Sequence, residues 1–261
     1  MRNQAVVITR PAAQAEPLAQ RVAALGRRPE LFPLLEILPL TETAELDAAL
    51  GNLGTYALVA FVSPNAIDAT FARIKAWPAE VSIGVMGAGS RAALAAHGVS
   101  DANATILSPT DSERTDSETL LAVLDLQGLK TGQVLIIRGE TGRELLADAL
   151  KAQGIAVRQV AAYRRVAPQL TAERVQKLSS MLEVENDWIV TSSEALRTLL
   201  AWAEQLATGY GISDAVAKMQ QQHLIVPHVR IAETAKSLGF QSITLTGSGD
   251  EHLLVALQSC L

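Results

Sequence analysis

The chain has 261 residues, room for two small α/β domains or one large one, and its 49% hydrophobic and 19% charged content is that of a globular protein. A net charge of −5 without any Lys/Arg cluster excludes a nucleic-acid groove, so an acidic partner must be held by local cations and backbone N–H groups. The single cysteine, Cys260, excludes an intramolecular disulfide and a cysteine-based zinc site, and no apolar run approaches the ~20 residues that cross a bilayer.

The first apolar run, 5–8, is too short for a signal-peptide core, and the expectation is a cytoplasmic protein. Aromatic residues make up only 4%, so the core must be aliphatic, as suits strands buried on both faces. Short aliphatic runs fall at 5–9, 30–34, 57–62, 81–86, 104–107, 134–138, 157–162, 188–191, 224–226 and 242–245. Segments of helical period, such as 11–25 and 142–153, follow most of them, which predicts an α/β protein of parallel sheets flanked by helices. Pro11 suits the first turn of a helix, and the pairs Ser63-Pro64 and Ser192-Ser193 place hydroxyls where helix N-caps are expected. Gly26, Gly98, Gly154 and Gly239 each follow a helical stretch, as left-handed C-terminal residues do.

The chain also resembles itself. Val6-Val7-Ile8-Thr9-Arg10 aligns with Val134-Leu135-Ile136-Ile137-Arg138, and Gly26 with Gly154, both at an offset of 128. Ser63-Pro64-Asn65-Ala66-Ile67 aligns with Ser192-Ser193-Glu194-Ala195-Leu196 at an offset of 129. Gly98 pairs with Gly239 once extra residues between 202 and 222 are allowed for. Four landmarks in one order predict two similar α/β halves. In such sheets ligands bind beyond the carboxyl ends of the strands, which singles out Arg10, Ser63, Gly87, Arg138, Thr191, Pro227 and Gly247.

Gly87-Ala88-Gly89-Ser90-Arg91-Ala92 fits G-x-G-x-x-A, yet it follows the wrong strand and the next strand ends in Ser108 instead of an acid. A tight strand-to-helix turn is the favoured reading, with anion-binding N–H groups as the alternative. Arg138 and Arg143 either bind a carboxylate or pair with Glu140 and Glu144. The four histidines, His97, His223, His228 and His252, show no ligand spacing, and no metal is expected. His97 is expected to end a helix, while His228 and Arg230 follow a strand end. Tyr163, before Arg164-Arg165, is either a proton donor or a packing residue.

Taken together, Ile8-Thr9-Arg10-Pro11, Phe32-Pro33-Leu34-Leu35-Glu36-Ile37, Phe61-Val62-Ser63-Pro64-Asn65-Ala66, the run from Val134 to Glu144, the segment 160–165, Val190-Thr191-Ser192-Ser193-Glu194 and Val226-Pro227-His228 resemble the uroporphyrinogen-III synthase family over essentially the whole chain. The resemblance implies two similar α/β domains joined by a two-stranded connector. One domain would comprise 1–35 with 169–261, the other 41–160, and the connector strands 34–40 and 160–168. Hinge motion between such domains is expected.

The implied substrate is hydroxymethylbilane, a linear tetrapyrrole with eight carboxylates, closed to uroporphyrinogen III with loss of water and inversion of the last ring. The implied chemistry uses no cofactor and proceeds through an azafulvene and a spiro intermediate, so orientation is the main catalytic device. Tyr163 matches the family's candidate acid. Arg10, Ser63, Asn65, Ser90, Arg138, Thr191 and Ser192 match segments that line the family's cleft. The last cleft loop reads Gly-Pro and then small hydroxyl residues in many members. Here it reads Pro227-His228-Val229-Arg230, which shifts binding there toward His228 and Arg230. The expected partner is the small substrate alone, with no nucleic acid or membrane, and the chain is expected to be a monomer. A non-catalytic two-domain binding protein and a nucleotide-dependent enzyme are the competing readings.

Overall fold

A computed structural model describes residues 4–109, 117–142 and 144–259. The chain opens with β1 (Ala5–Ile8), α1 (Ala12–Ala24), β2 (Arg28–Leu31) and β3 (Glu36–Pro39). There follow α2 (Ala44–Leu50), β4 (Tyr56–Phe61), α3 (Pro64–Phe71), β5 (Ser82–Val85), α4 (Ala88–Ala96), β6 (Ile106–Leu107) and α5 (Ser117–Leu121). Next come β7 (Gln133–Gly139), α6 (Leu145–Ala152), β8 (Ala156–Val166), α7 (Ala172–Leu182), β9 (Asp187–Ile189) and α8 (Ser193–Gly209). The chain closes with α9 (Ala215–Gln221), β10 (His223–Val226), α10 (Val229–Ser237), β11 (Ser242–Leu245) and α11 (Asp250–Ser259).

These elements form two compact units, residues 1–36 with 166–261, and residues 37–165. The first holds a sheet of order β11-β10-β9-β1-β2, and the second a sheet of order β3-β8-β7-β4-β5-β6. Pairing is parallel from β2 through to β11 and from β8 through to β6. Both sheets are covered on both faces, because consecutive side chains along a strand point opposite ways. In the first unit Val6 and Ile8 pack under α1 and α11, while Val7 packs with Trp188 and Val190 under α7, α8 and α10. In the second, Leu58 and Ala60 pack with α5 and α6, while Val59 and Phe61 pack with α2, α3 and α4.

The predicted repeat is visible as topology. Reading β2-β1-β9-β10-β11 against β8-β7-β4-β5-β6 equates the strands of the two sheets one for one, with β3 an added edge strand of the second. Even the register agrees: Ala5 lies opposite Arg28 and Ile8 opposite Leu31, just as Gln133 lies opposite Ala156 and Ile136 opposite Gln159. Gly26 and Gly154 close equivalent helices at φ +73° and +79°, where a Cβ is strained, and Gly98 and Gly239 do the same.

The strands depart from the sequence reading mainly at β2 and β8. β2 ends at Leu31 because Pro33 has no N–H to give the ladder, although Phe32 and Leu34 still donate to Ile8 and Thr9 carbonyls. The aliphatic run 157–162 continues without a break to Val166, so Tyr163 lies inside a strand, as it does in the connector strand 160–168 that the resemblance implies. Pro11 stands one residue earlier than expected, at the N-cap of α1.

A polar network ties the amino ends of the first unit's strands. Buried Asp187 pairs with Arg27 and accepts from His223 Nδ1 at 2.6 Å, while His223 Nε2 meets Thr244 Oγ1 at 2.9 Å. Burial works to raise the Asp187 pKa, but the hydrogen bonds from His223 and Arg27 outweigh it and hold the carboxyl below its usual range. A carboxylate depressed in the folded state contributes stability present above its unfolded pKa of ~3.9 and lost as pH falls through the folded value. Asp187→Asn is expected to cost about 3 kcal/mol at neutral pH by stranding Arg27, and to flatten the pH dependence below about pH 4. Urea unfolding at several pH values checks this; identical acid sensitivity in both proteins would refute it.

Candidate active site

In each unit the crossover helices change face between two adjacent strands, and this switch is where doubly wound sheets bind ligands. In the first unit it falls between β1 and β9, in the second between β7 and β4. Arg10, Thr191 and Ser192 follow the strands at the first switch and Arg138 and Ser63 mark the ends of those at the second, while Ser90 follows β5 and His228 and Arg230 follow β10, one strand further out.

In the second unit, Ser63 follows β4 and caps α3. Its backbone is extended, and its Oγ accepts from Ala66 N–H at 3.2 Å. The same Oγ lies 3.0 Å from Tyr163 Oη. Tyr163 reaches it through an irregularity in β8. Arg138 lies opposite Ala161, but the next residue, Gly139, lies opposite Tyr163, so Ala162 is an extra residue in the ladder. Such a bulge reverses the side-chain alternation beyond it. Ala162 and Tyr163, although consecutive, therefore both face the core shared with α3. Gly139 makes room for the ring: a Cβ there would stand 3.0 Å from Cζ and 3.2 Å from Oη. The phenol is thus seated on Gly139, hydrogen-bonded at a helix start, and only 6% exposed.

Arg138 is also mostly buried. Its Nη1 donates to Gln159 Oε1 at 2.9 Å and lies 3.5 Å from Glu144 Oε1. Gly142, at φ +148°, lies against this guanidinium, where an added Cβ would stand 2.9 Å from Nη2, and Arg165 Nη2 donates to the Thr141 carbonyl at 3.0 Å. Both alternatives for Arg138 therefore have a physical basis, since its acidic neighbour Glu144 is well exposed and displaceable. Arg143 lies outside the described residues. Asn65 stands in the first turn of α3, and Ser90 is buried in the first turn of α4. Gly87 serves as the N-cap of α4 with only Met86 between it and β5, which is the strand-to-helix turn preferred for the glycine motif.

In the first unit, Thr9 Oγ1 donates to the Ile189 carbonyl and pins the ends of β1 and β9 together. Arg10 follows, with Nη1 2.7 Å from Asp250 Oδ1 in the first turn of α11. Ser192 caps α8, accepting from Glu194 N–H at 3.1 Å and Ala195 N–H at 3.4 Å, with Thr191 just before it. His228 is the N-cap residue of α10 and Arg230 lies in its first turn, both exposed. His97 follows the last turn of α4 as expected, bonded to Asp68 at 2.9 Å. Sequence reasoning missed Asp250, Gln159 and Gly139. An acid opening a helix was a weak signal for the first, and nothing local pointed to the other two.

Each unit is a doubly wound α/β domain whose capping hydroxyls and strand-end arginines collect at its switch point. The family model described as Uroporphyrinogen-III synthase HemD matches residues 16–252. The uroporphyrinogen-III synthase of Escherichia coli (strain K12) is 31% identical, over 97% of this chain and 99% of its own length. That of Salmonella typhimurium (strain LT2) is 32% identical over the same shares. The chain belongs to the uroporphyrinogen-III synthase family. Solved structures share its fold: that of the Helicobacter pylori 26695 enzyme at TM-score 0.62 and 14% identity, covering 98% of this chain and 99% of that one, and that of a mutant enzyme from the extremely thermophilic bacterium Thermus thermophilus at 0.57 and 17%, covering 98% of each.

Gly139→Ala is expected to lower the unfolding free energy by about 1–3 kcal/mol, because the new Cβ meets the Tyr163 ring. In a Tyr163→Leu background the same change should cost much less. Denaturant titrations of the four proteins measure the coupling, and additive losses would show that the ring is not what Gly139 accommodates.

Proposed function

We propose that the chain is a lyase that closes hydroxymethylbilane to uroporphyrinogen III, releasing water and inverting the last pyrrole ring. Family membership over nearly the whole chain supports the reaction, and one geometric observation supports its chemistry: the Tyr163 phenol held 3.0 Å from Ser63 at the second unit's switch point. Loss of the substrate's hydroxyl needs a proton, and a phenol can supply it. The remaining steps form and break carbon–carbon bonds among atoms of one substrate, so they depend on how its four rings are held.

Holding eight carboxylates in a chain of net charge −5 falls to local donors. Ser63 and Ser192 accept from helix N–H groups and retain O–H protons to donate. Arg10 and Arg138 offer guanidinium groups that a substrate carboxylate can share with or take from Asp250 and Glu144. Asn65, Ser90, Thr191, His228 and Arg230 complete the binding set. In this reading the domains are 1–35 with 169–261, and 41–160, with connector strands 34–40 and 160–168. The compact units recovered from the fold support that division. The reading also takes the protein as a cytoplasmic monomer that needs no metal and binds no nucleic acid. Among the described residues no helix is long and apolar enough to cross a membrane.

Purified protein, given freshly generated hydroxymethylbilane and neither metal nor nucleotide, should yield the type III isomer. Product that is all type I, the isomer of unassisted closure, would reject the assignment, and activity lost to a chelator and restored by a metal would reject the metal-free reading. Arg138→Ala should lower kcat/KM roughly ten- to hundredfold, the equivalent of a charge-assisted hydrogen bond, and more than Arg143→Ala does. Tyr163→Phe should slow turnover by up to about 10²-fold while the product stays type III, because the ring and its packing remain. A full-rate Phe variant with a lowered melting temperature would make Tyr163 a packing residue.

A further inference from the structure

We propose that Ser63, in place of the carboxylate-holding role given to it above, is a positioning residue for the Tyr163 acid: it aims the phenol and transmits the positive end of α3 to the phenolate left when the proton has gone. The proposal rests on Tyr163 being the acid and adds the device that makes its phenolate tolerable.

The duplicated scaffold provides the comparison. Ser63 and Ser192 occupy equivalent positions after equivalent strands, and both cap the following helix. Capping is therefore the shared task of this position. What differs is the neighbour. Residue 163 lies 128 positions beyond Leu35, and Leu35 is buried in the first unit's core with no hydroxyl to offer. In the second unit the bulge at Ala162 swings a tyrosine onto the α3 face, and its Oη arrives 3.0 Å from the capping Oγ. Gly139 leaves the ring just the space it fills. Three local features absent from a plain βα turn converge on one oxygen–oxygen contact.

The chemistry of a capping serine suits the task. Its Oγ accepts from Ala66 N–H, which leaves the O–H proton to be donated elsewhere. When the substrate's carbon–oxygen bond breaks, the electron pair stays on oxygen and the phenol proton moves to it, giving water. The pyrrole nitrogen lone pair fills the vacancy on carbon. Tyr163 is then a phenolate, and the Ser63 O–H can donate to it while Ala66 N–H donates to Ser63. The chain of two hydrogen bonds ends on the start of α3, where the helix dipole favours negative charge. The final ring closure releases a proton from the attacking ring carbon, and its return to the phenolate restores the phenol. Atoms balance as one water lost.

The test separates capping from proton donation. Ser63→Asp keeps an acceptor for Ala66 N–H but puts a carboxylate beside the phenol, with no proton to donate. Ser63→Thr keeps both functions. We expect Ser63→Asp to melt within a few degrees of the unmodified protein yet lose kcat roughly ten- to hundredfold at unchanged KM, as Tyr163→Phe does. Ser63→Thr should retain most of the rate. In the Tyr163→Phe background, Ser63→Asp should cost no further rate. Full kcat in Ser63→Asp alongside a slow Tyr163→Phe would overturn this proposal and leave the tyrosine standing. A raised KM with normal kcat would make Ser63 a substrate ligand after all. A full-rate Tyr163→Phe would remove the acid itself, and this proposal with it.

Discussion

A strand that joins a sheet in parallel must return to the same end before the next can begin, so each connection is a crossover and each exit turn falls along one edge. That constraint organises the whole molecule. It collects the turns after β1, β9 and β10 in one unit, and after β7, β4 and β5 in the other. It sets helix starts beside those turns, with their unpaired N–H groups. Arg10, Ser192, His228 and Arg230 gather in one unit, and Ser63 and Arg138 in the other, because of strand direction, although they are far apart in the chain.

Helix starts then decide what the turn residues can do. A serine that satisfies an N–H of its own helix is not used up, since its proton remains free to point elsewhere. A chain with net charge −5 can in this way present donors to a polyanionic substrate without a basic surface. The arginines follow the same logic of charge. Arg10 and Arg138 stand at equivalent strand ends and each lies near an acid, so neither is an isolated buried cation before a ligand arrives.

The duplication and the units are out of phase. The first sequence repeat contributes β1 and β2 to one unit and β4, β5 and β6 to the other; the second contributes β7 and β8, then β9, β10 and β11. Each sheet therefore joins the leading pair of one repeat to the trailing three of the other, and the second sheet adds β3 at its edge. The polypeptide crosses between units at 36/37 and 165/166, in or at the ends of β3 and β8.

By itself the sequence determined the α/β class, nearly every strand, the repeat, the helix caps at Ser63 and Ser192 and the left-handed glycines. These are local properties: aliphatic runs, hydroxyls before helical periods and glycines after them are set by neighbours a few residues away. The strand-end candidates were legible for the same reason, since leaving a strand is a local event. The residue pattern alone left open that β1 pairs with β9 and β7 with β4, which only the family resemblance implied, because either repeat's leading strand offers nearly the same edge and the choice is made by long-range packing. Tertiary structure alone decided that Asp250 meets Arg10, Gln159 meets Arg138, and Gly139 lies under Tyr163. The clearest case is Tyr163 itself. Alternation along β8 would turn it away from α3, and only the ladder with β7, where Arg138 and Gly139 straddle an extra residue, brings its hydroxyl to Ser63.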